Sequence, residues 1–281
     1  MKSIRDVHEW LNRCAQMYNT LDHNERVIVD LNKLQWVSPV GSAALVATLH
    51  KLVTRYDVKI KIPDNENADS IIGYLERMDF FKVCPSVVRH AFENEIDMEV
   101  YYSRHRNDQS KALFELREAN DYDEVGSLQA TIRAIMTGYL EPNKISNVTR
   151  IVGELVGNSI EHGGSACYPC VQFYKSNKQV EIAICDYGKG IVRSLKKYVK
   201  HSTSHEVVEK AITTRATSIE EEDRGRGLMD VKQRTFSSSR KAKFYLRTHD
   251  SAYRVFDDNV QLVEKGAFFY GTYIYIVIDV S

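Results

Sequence analysis

The chain has 281 residues, and its 38 Lys+Arg balance 38 Asp+Glu, so no net field draws it toward nucleic acid or an anionic membrane. Hydrophobic residues make up 43%, enough for folded cores, yet the apolar runs fall short of the ~20 residues that cross a bilayer. Residues 1–10 lack the apolar centre of a signal peptide, and five scattered cysteines make no disulfide framework, so a cytoplasmic protein of two domains is expected.

Residues 1–24 carry a helical pattern with Val7, Trp10, Leu11, Cys14 and Met17 on one face. A short apolar strand at 25–31 leads to a turn at 37–41 (Val-Ser-Pro-Val-Gly), where proline and small residues interrupt any regular element. A helix over 42–56 follows, with Leu45, Leu49 and Leu52 toward its buried side, then an alternating strand at 58–62 and a helix over 68–78. This order makes a small α/β domain, and strand, glycine turn, helix, strand, helix resembles STAS domains. In partner-switching members of that family the turn carries a phosphorylatable serine after an aspartate. Here Ser38 stands at the aspartate position, followed by Pro39 and Val40, so neither Ser38 nor Ser42 is expected to accept phosphate. The resemblance instead implies a docking domain, its turn exposed and in contact with the second domain or another chain.

The polar run 104–110 reads as a linker, which divides the chain into 1–105 and 106–281. A strand at 112–116 and an amphipathic helix over 124–139 (Val125, Leu128, Ile132, Ile135) come next, and Pro142-Asn143 ends that pattern. Residues 151–164 then read as a helix in which Glu154, Asn158 and His162 recur every fourth position on one face. Val152, Leu155, Val156 and Ser159 form the opposite apolar or small stripe, and Gly163-Gly164 supplies the stop. The Asn158 carbonyl suits a hard cation, and Glu154 one turn earlier could orient or deprotonate an attacking hydroxyl. Cys167 and Cys170 have CxxC spacing but no second pair, so two half-buried thiols at a strand start are expected.

Two paired strands follow at 171–174 and 179–185, with Val180, Ile182 and Ile184 on one face, running into Asp186-Tyr-Gly188-Lys-Gly190. A second glycine cluster, Arg224-Gly225-Arg226-Gly227-Leu228, heads another helical pattern, where backbone amides can approach a phosphate. Strands at 244–246, 253–256 and 271–278 complete a mostly antiparallel sheet. From 187 to 247 the chain carries 15 Lys+Arg against 7 Asp+Glu, a basic stretch in a neutral protein.

ExxxNxxxH, DxGxG, GxGL and a GT in the last strand, in that order, resemble the GHKL or Bergerat-type ATP-binding fold of histidine kinases, anti-sigma serine kinases, gyrase and mismatch-repair ATPases. The resemblance covers roughly residues 110–281 and implies an α/β sandwich with a mixed, mostly antiparallel sheet. It implies that Asn158 binds Mg2+, that Glu154 is the general base and that Asp186 accepts from the adenine amino group. Gly188 and Gly190 would let the chain pass close to the base, with Thr272 supporting Asp186. Gly225 and Gly227 would offer amides to the phosphates, Arg224 and Arg226 would pair with them, His162 would touch one, and 192–223 would form a lid. A histidine kinase would carry a phosphoacceptor hairpin where the STAS-like segment stands, so autophosphorylation on histidine is not expected. The expectation is a Mg-ATP-binding regulatory protein with slow ATPase or serine/threonine kinase activity. The other reading is an ATP-gated interaction module. In both, a protein partner docks on the STAS-like face, nucleic acid and membrane are not partners, and homodimerisation is left open.

Overall fold

Capping chemistry sets where four of the α-helices begin in the computed structural model, which describes residues 3–103, 113–195, 203–214 and 227–281. Helix α1 (Ile4–Thr20) opens on a capping box in which Ser3 and Asp6 satisfy each other's backbone N–H. Strand β1 (Arg26–Asp30) leads to α2 (Pro39–Val53), capped by Ser38 and started by Pro39, whose missing N–H costs nothing at a first helical position. β2 (Asp57–Lys61) pairs parallel with β1 and places Val27, Val29, Val58 and Ile60 on its buried side. Four helices follow: α3 (Ala68–Arg77), α4 (Phe80–Val83), α5 (Ser86–Glu95) and α6 (Glu99–Tyr102). The last three go beyond the sequence reading: two are single turns without a period, whereas in α5 Val88, Ala91 and Phe92 share the buried face.

After β3 (Leu113–Phe114), Asp121 caps α7 (Tyr122–Met136), and Pro142 starts α8 (Pro142–Asn158). The helix widens into a π-turn over Ser159–Gly163 and stops at Gly164, which takes the left-handed conformation at φ 68°. Strands β4 (Cys167–Tyr174) and β5 (Gln179–Asp186) lead to α9 (Gly190–Leu195) and α10 (Ser204–Thr213). Helix α11 (Gly227–Ser238) and strands β6 (Lys243–Val255) and β7 (Val260–Asp279) close the described chain. The strands expected at 244–246 and 253–256 are one continuous strand, irregular around His249, whose φ is 53°.

The large sheet runs β3-β4-β5-β7-β6, and all four pairings are antiparallel. The expected mixture is absent from it, since the one parallel pair among the described residues is β1 with β2. The period-2 alternation of β5 divides the interior. Val180, Ile182 and Ile184 join one core with Ile132 of α7, Val152 and Leu155 of α8 and Val231 of α11. Ala183 and Cys185 join the other, with Tyr168, Cys170 and Tyr273 of the sheet, Leu11 of α1 and Leu45 and Leu49 of α2. Both faces of the sheet are therefore covered, one by α7, α8 and α11, which all follow β3 in sequence, the other by the first two helices of the chain.

The segment expected to be an exposed turn lies inside this arrangement. Pro39, Val40, Gly41 and Ser42 are buried, and Tyr273 Oη donates to the Val40 carbonyl at 3.3 Å. The reason is compositional: α2 is apolar around its whole circumference, which suits a helix packed on several sides. The expected contact of this segment with the second half of the chain is present. Cys167 and Cys170 start β4 as placed, but fully buried rather than half-buried, and burial pushes both thiols up and out of reactive range.

Candidate functional site

A cleft of about 480 Å³, counting its solvent-open mouth, lies between the end of α8, the segment after β5, α9, the start of α11 and β7. Its floor is Asp186, the last residue of β5, which is 2% exposed. Three donors hold the carboxylate. The Gly188 and Thr272 N–H groups reach Oδ1 at 2.9 and 3.2 Å, and Ser159 Oγ reaches Oδ2 at 3.3 Å. An ionised carboxylate accepts about four hydrogen bonds, so Oδ2 keeps one acceptor position. Burial raises the Asp186 pKa to about 6 against the pull of those same three donors, which leaves the group ionised at neutral pH.

The walls are apolar: Leu155, Ile191, Leu195, Leu228 and Ile274 surround the single buried carboxylate. This combination, apolar sides with one fixed acceptor at the base, suits an apolar-faced ring bearing an exposed amino group. Gly188 is required by close approach, because a Cβ there would run into the Gly163 carbonyl. Lys189 N–H donates to that same carbonyl at 2.9 Å, so the segment after β5 is laced to the end of α8. Gly190 starts α9 and lines the cleft. Thr272 also lines it, and its support of Asp186 runs through the main chain.

Asn158 and His162 line the cleft, whereas Glu154 stands one turn away, exposed, on the same side of α8. Gly227 brings the polar pair to the head of α11: a Cβ built there would lie 3.0 Å from Asn158 Oδ1 and 3.1 Å from Glu154 Oε2. Although the side chain is exposed, desolvation of its carboxyl by the neighbouring helix first, then the nearby Asp230, pushes Glu154 above the usual range, opposed by Arg234 and Arg150. Asp230 itself is paired with Arg234 at 2.6 Å, and Arg234 also donates to Asn147 Oδ1. Burial lowers the His162 pKa, opposed by Glu161, so the imidazole is neutral at pH 7 and presents a hydrogen-bonding group rather than a charge to the cleft.

Asn158 Nδ2 is buried with no hydrogen-bond partner among the described residues, an unmet polar end beside the cleft. Its amide can present oxygen to a hard cation by a half-turn of the terminal bond. No cluster of three or more His, Cys, Asp or Glu able to hold a metal exists among the described residues. Mg2+ here would therefore take Asn158 together with phosphate and water oxygens, the arrangement that ion favours. Arg224, Gly225 and Arg226 lie outside the described residues, as does most of the expected lid.

Two contributors escaped the sequence reading. Ser159 reads in the sequence as part of the small buried stripe, yet its single hydroxyl proton is shared between Asp186 Oδ2 and the Leu155 carbonyl. Thr248, fully buried on β6, donates to the Gly271 carbonyl at 3.1 Å and accepts from Ile191 N–H at 3.2 Å, which ties α9 to the sheet. A single hydroxyl in a strand leaves no sequence signal for such a role. For Ser159, its place one residue after Asn158 on a site-bearing helix was the available clue. Searches against protein-family models and curated proteins find no match to this chain.

Proposed function

We propose that this chain is a Mg-ATP-binding regulatory protein of the GHKL type, residues 106–281 forming the nucleotide domain and 1–105 a STAS-like docking domain. The observation that carries the reading is the buried, triply hydrogen-bonded Asp186 at the floor of an apolar cleft that opens at the head of α11. The free acceptor position on Asp186 Oδ2 takes the adenine amino group, and the apolar walls take the faces of the ring. The phosphates run toward Gly227, where the first amides and positive end of a twelve-residue helix favour anions. Arg224, Gly225 and Arg226, just before that helix, are assigned to the phosphates by position.

Asn158 would hold Mg2+, which supplies charge neutralisation at the phosphates. Glu154, its carboxyl made more basic than usual, would take a proton from water or a serine or threonine hydroxyl. A second reading, an ATP-gated interaction module without turnover, is favoured by one observation: α2 of the first half packs on β4 and β5, directly behind Asp186. Both readings belong to a cytoplasmic signalling protein.

Incubation with labelled ATP separates them. The first reading expects label in free phosphate or on protein, and Glu154→Ala should cut that rate by about 10²-fold while nucleotide affinity changes little. Label that goes nowhere, with binding intact, leaves the module. Absence of binding removes both.

A further inference from the structure

Asp186 forms part of the wall of two cavities, one on each face of the sheet. Behind the nucleotide cleft a narrow recess lies between α1, α2 and the sheet, bordered by Tyr18, Lys51, Leu52, Tyr187 and Tyr270 as well as Asp186. Successive residues of an extended chain point to opposite faces. The Asp186 carboxylate meets Ser159 on the α8 side, and the next side chain, Tyr187, meets α2 on the other.

The Tyr187 ring is gripped there. It stacks with Tyr168 at a centroid separation of 6.3 Å and an angle of 26°, and with His50 at 6.5 Å and 10°. His50 also stacks on Tyr168 at 5.1 Å, and its Nε2 is 2.6 Å from the Val83 carbonyl, so it is fixed from the far side by the first half of the chain. Lys51 Nζ lies 5.9 Å from the Tyr187 ring centre and 5.1 and 5.2 Å from those of Tyr18 and Tyr270, within cation–π range of all three. The peptide that follows Tyr187 supplies the Gly188 N–H that orients Asp186 Oδ1.

We propose that Tyr187 is a positioning residue for nucleotide recognition, and that α2, through His50 and Lys51, sets the affinity of the cleft for adenine by holding Tyr187. The inference rests on the nucleotide reading above. The first half of the chain touches no part of the ligand. It fixes the 186–188 segment before binding, so less ordering remains to oppose association. By reciprocity, nucleotide binding tightens the packing of α2 on the sheet, which gives the first half a means to report occupancy.

Calorimetric titration of the full chain with Mg-ADP and, separately, Mg-tripolyphosphate tests this. Tyr187→Ala should weaken Mg-ADP by about tenfold, within the usual range of site-to-site coupling, and leave tripolyphosphate binding unchanged. Tyr187→Phe, which keeps the ring, should bind Mg-ADP as the wild type does, and Lys51→Met should fall between. Hydrogen exchange in the wild type should show Mg-ADP protecting 39–53 as well as the cleft. The inference is overturned if Tyr187→Ala binds Mg-ADP normally, or if it loses both ligands equally, which is general damage. Should that variant not fold, Lys51→Met with unchanged Mg-ADP affinity, or exchange protection confined to the cleft, overturns it instead. A wild type that binds no Mg-ADP removes the nucleotide reading and this inference with it.

Discussion

Asp186 keeps a charge in a place that disfavours charge, and that can be measured without any ligand. Its pKa is about 6 in the folded protein against an ordinary 3.8, so between those values the folded chain holds a proton that the unfolded chain has lost. Stability from this residue is therefore fully present below about pH 4, falls as pH rises toward 6, and is level above that. Asp186→Asn should fold. Its Oδ1 still accepts from Gly188 and Thr272, and its Nδ2 can donate to Ser159 Oγ, whose proton then goes to the Leu155 carbonyl alone. Urea denaturation between pH 4 and 7 should show the variant without this slope and more stable at pH 7, by up to about 3 kcal/mol from a shift of roughly two units. A variant with the wild-type slope would place the titration elsewhere. For wild type, nucleotide affinity should fall as pH drops through about 6, because protonation removes an acceptor.

At the scale of elements, α2 decides how the chain is put together. Leu45 and Leu49 are fully buried, and Ser42, also fully buried, donates to the Ser38 carbonyl at 3.1 Å. Leu45→Ala should cost about 2–5 kcal/mol in a denaturant titration, the range for a leucine removed from a packed core. A value near zero would mean that α2 is peripheral. Phosphate should not be found on Ser42 after incubation with ATP, and stoichiometric modification there by mass spectrometry would contradict the packing. The alternation of Val180, Ile182 and Ile184 was legible in the sequence because a half-buried strand has a period to read. So was the stop at Gly164. The burial of α2 was also written, in the run Ala43-Ala44-Leu45-Val46-Ala47, but the stripe Leu45, Leu49 and Leu52 has the spacing of a one-sided helix. Helices α4 and α6 were not legible, since one turn carries no period, and Ser159 and Thr248 act through partners distant in sequence.

For the molecule as a whole, the sheet has two buried faces and draws on both ends of the chain to cover them. Asn12 accepts from Ala267 N–H at 2.6 Å and Asn19 donates to the Phe268 carbonyl at 3.0 Å, so α1 is hydrogen-bonded along β7 while α2 fills the middle. Residues 106–281 alone would expose Tyr168, Cys170, Phe269 and Tyr273, all of them buried in the full chain. Expressed without residues 1–105, this fragment should aggregate or bind a hydrophobic dye, and co-expression with the missing half should restore solubility. A monodisperse fragment that binds no dye would show that the two halves only touch.

The central claim is that the cleft takes adenine against Asp186. Calorimetric titration of wild type and Asp186→Asn with Mg-ATP and Mg-GTP tests it most directly. The account predicts saturable one-to-one binding of Mg-ATP to the wild type, preferred over Mg-GTP. In the variant that binding should weaken by about 10- to 100-fold, the scale of a lost hydrogen bond to a charged acceptor, with the preference for adenine reduced. No binding of Mg-ATP to the wild type, or equal affinity in a folded Asp186→Asn, would contradict it.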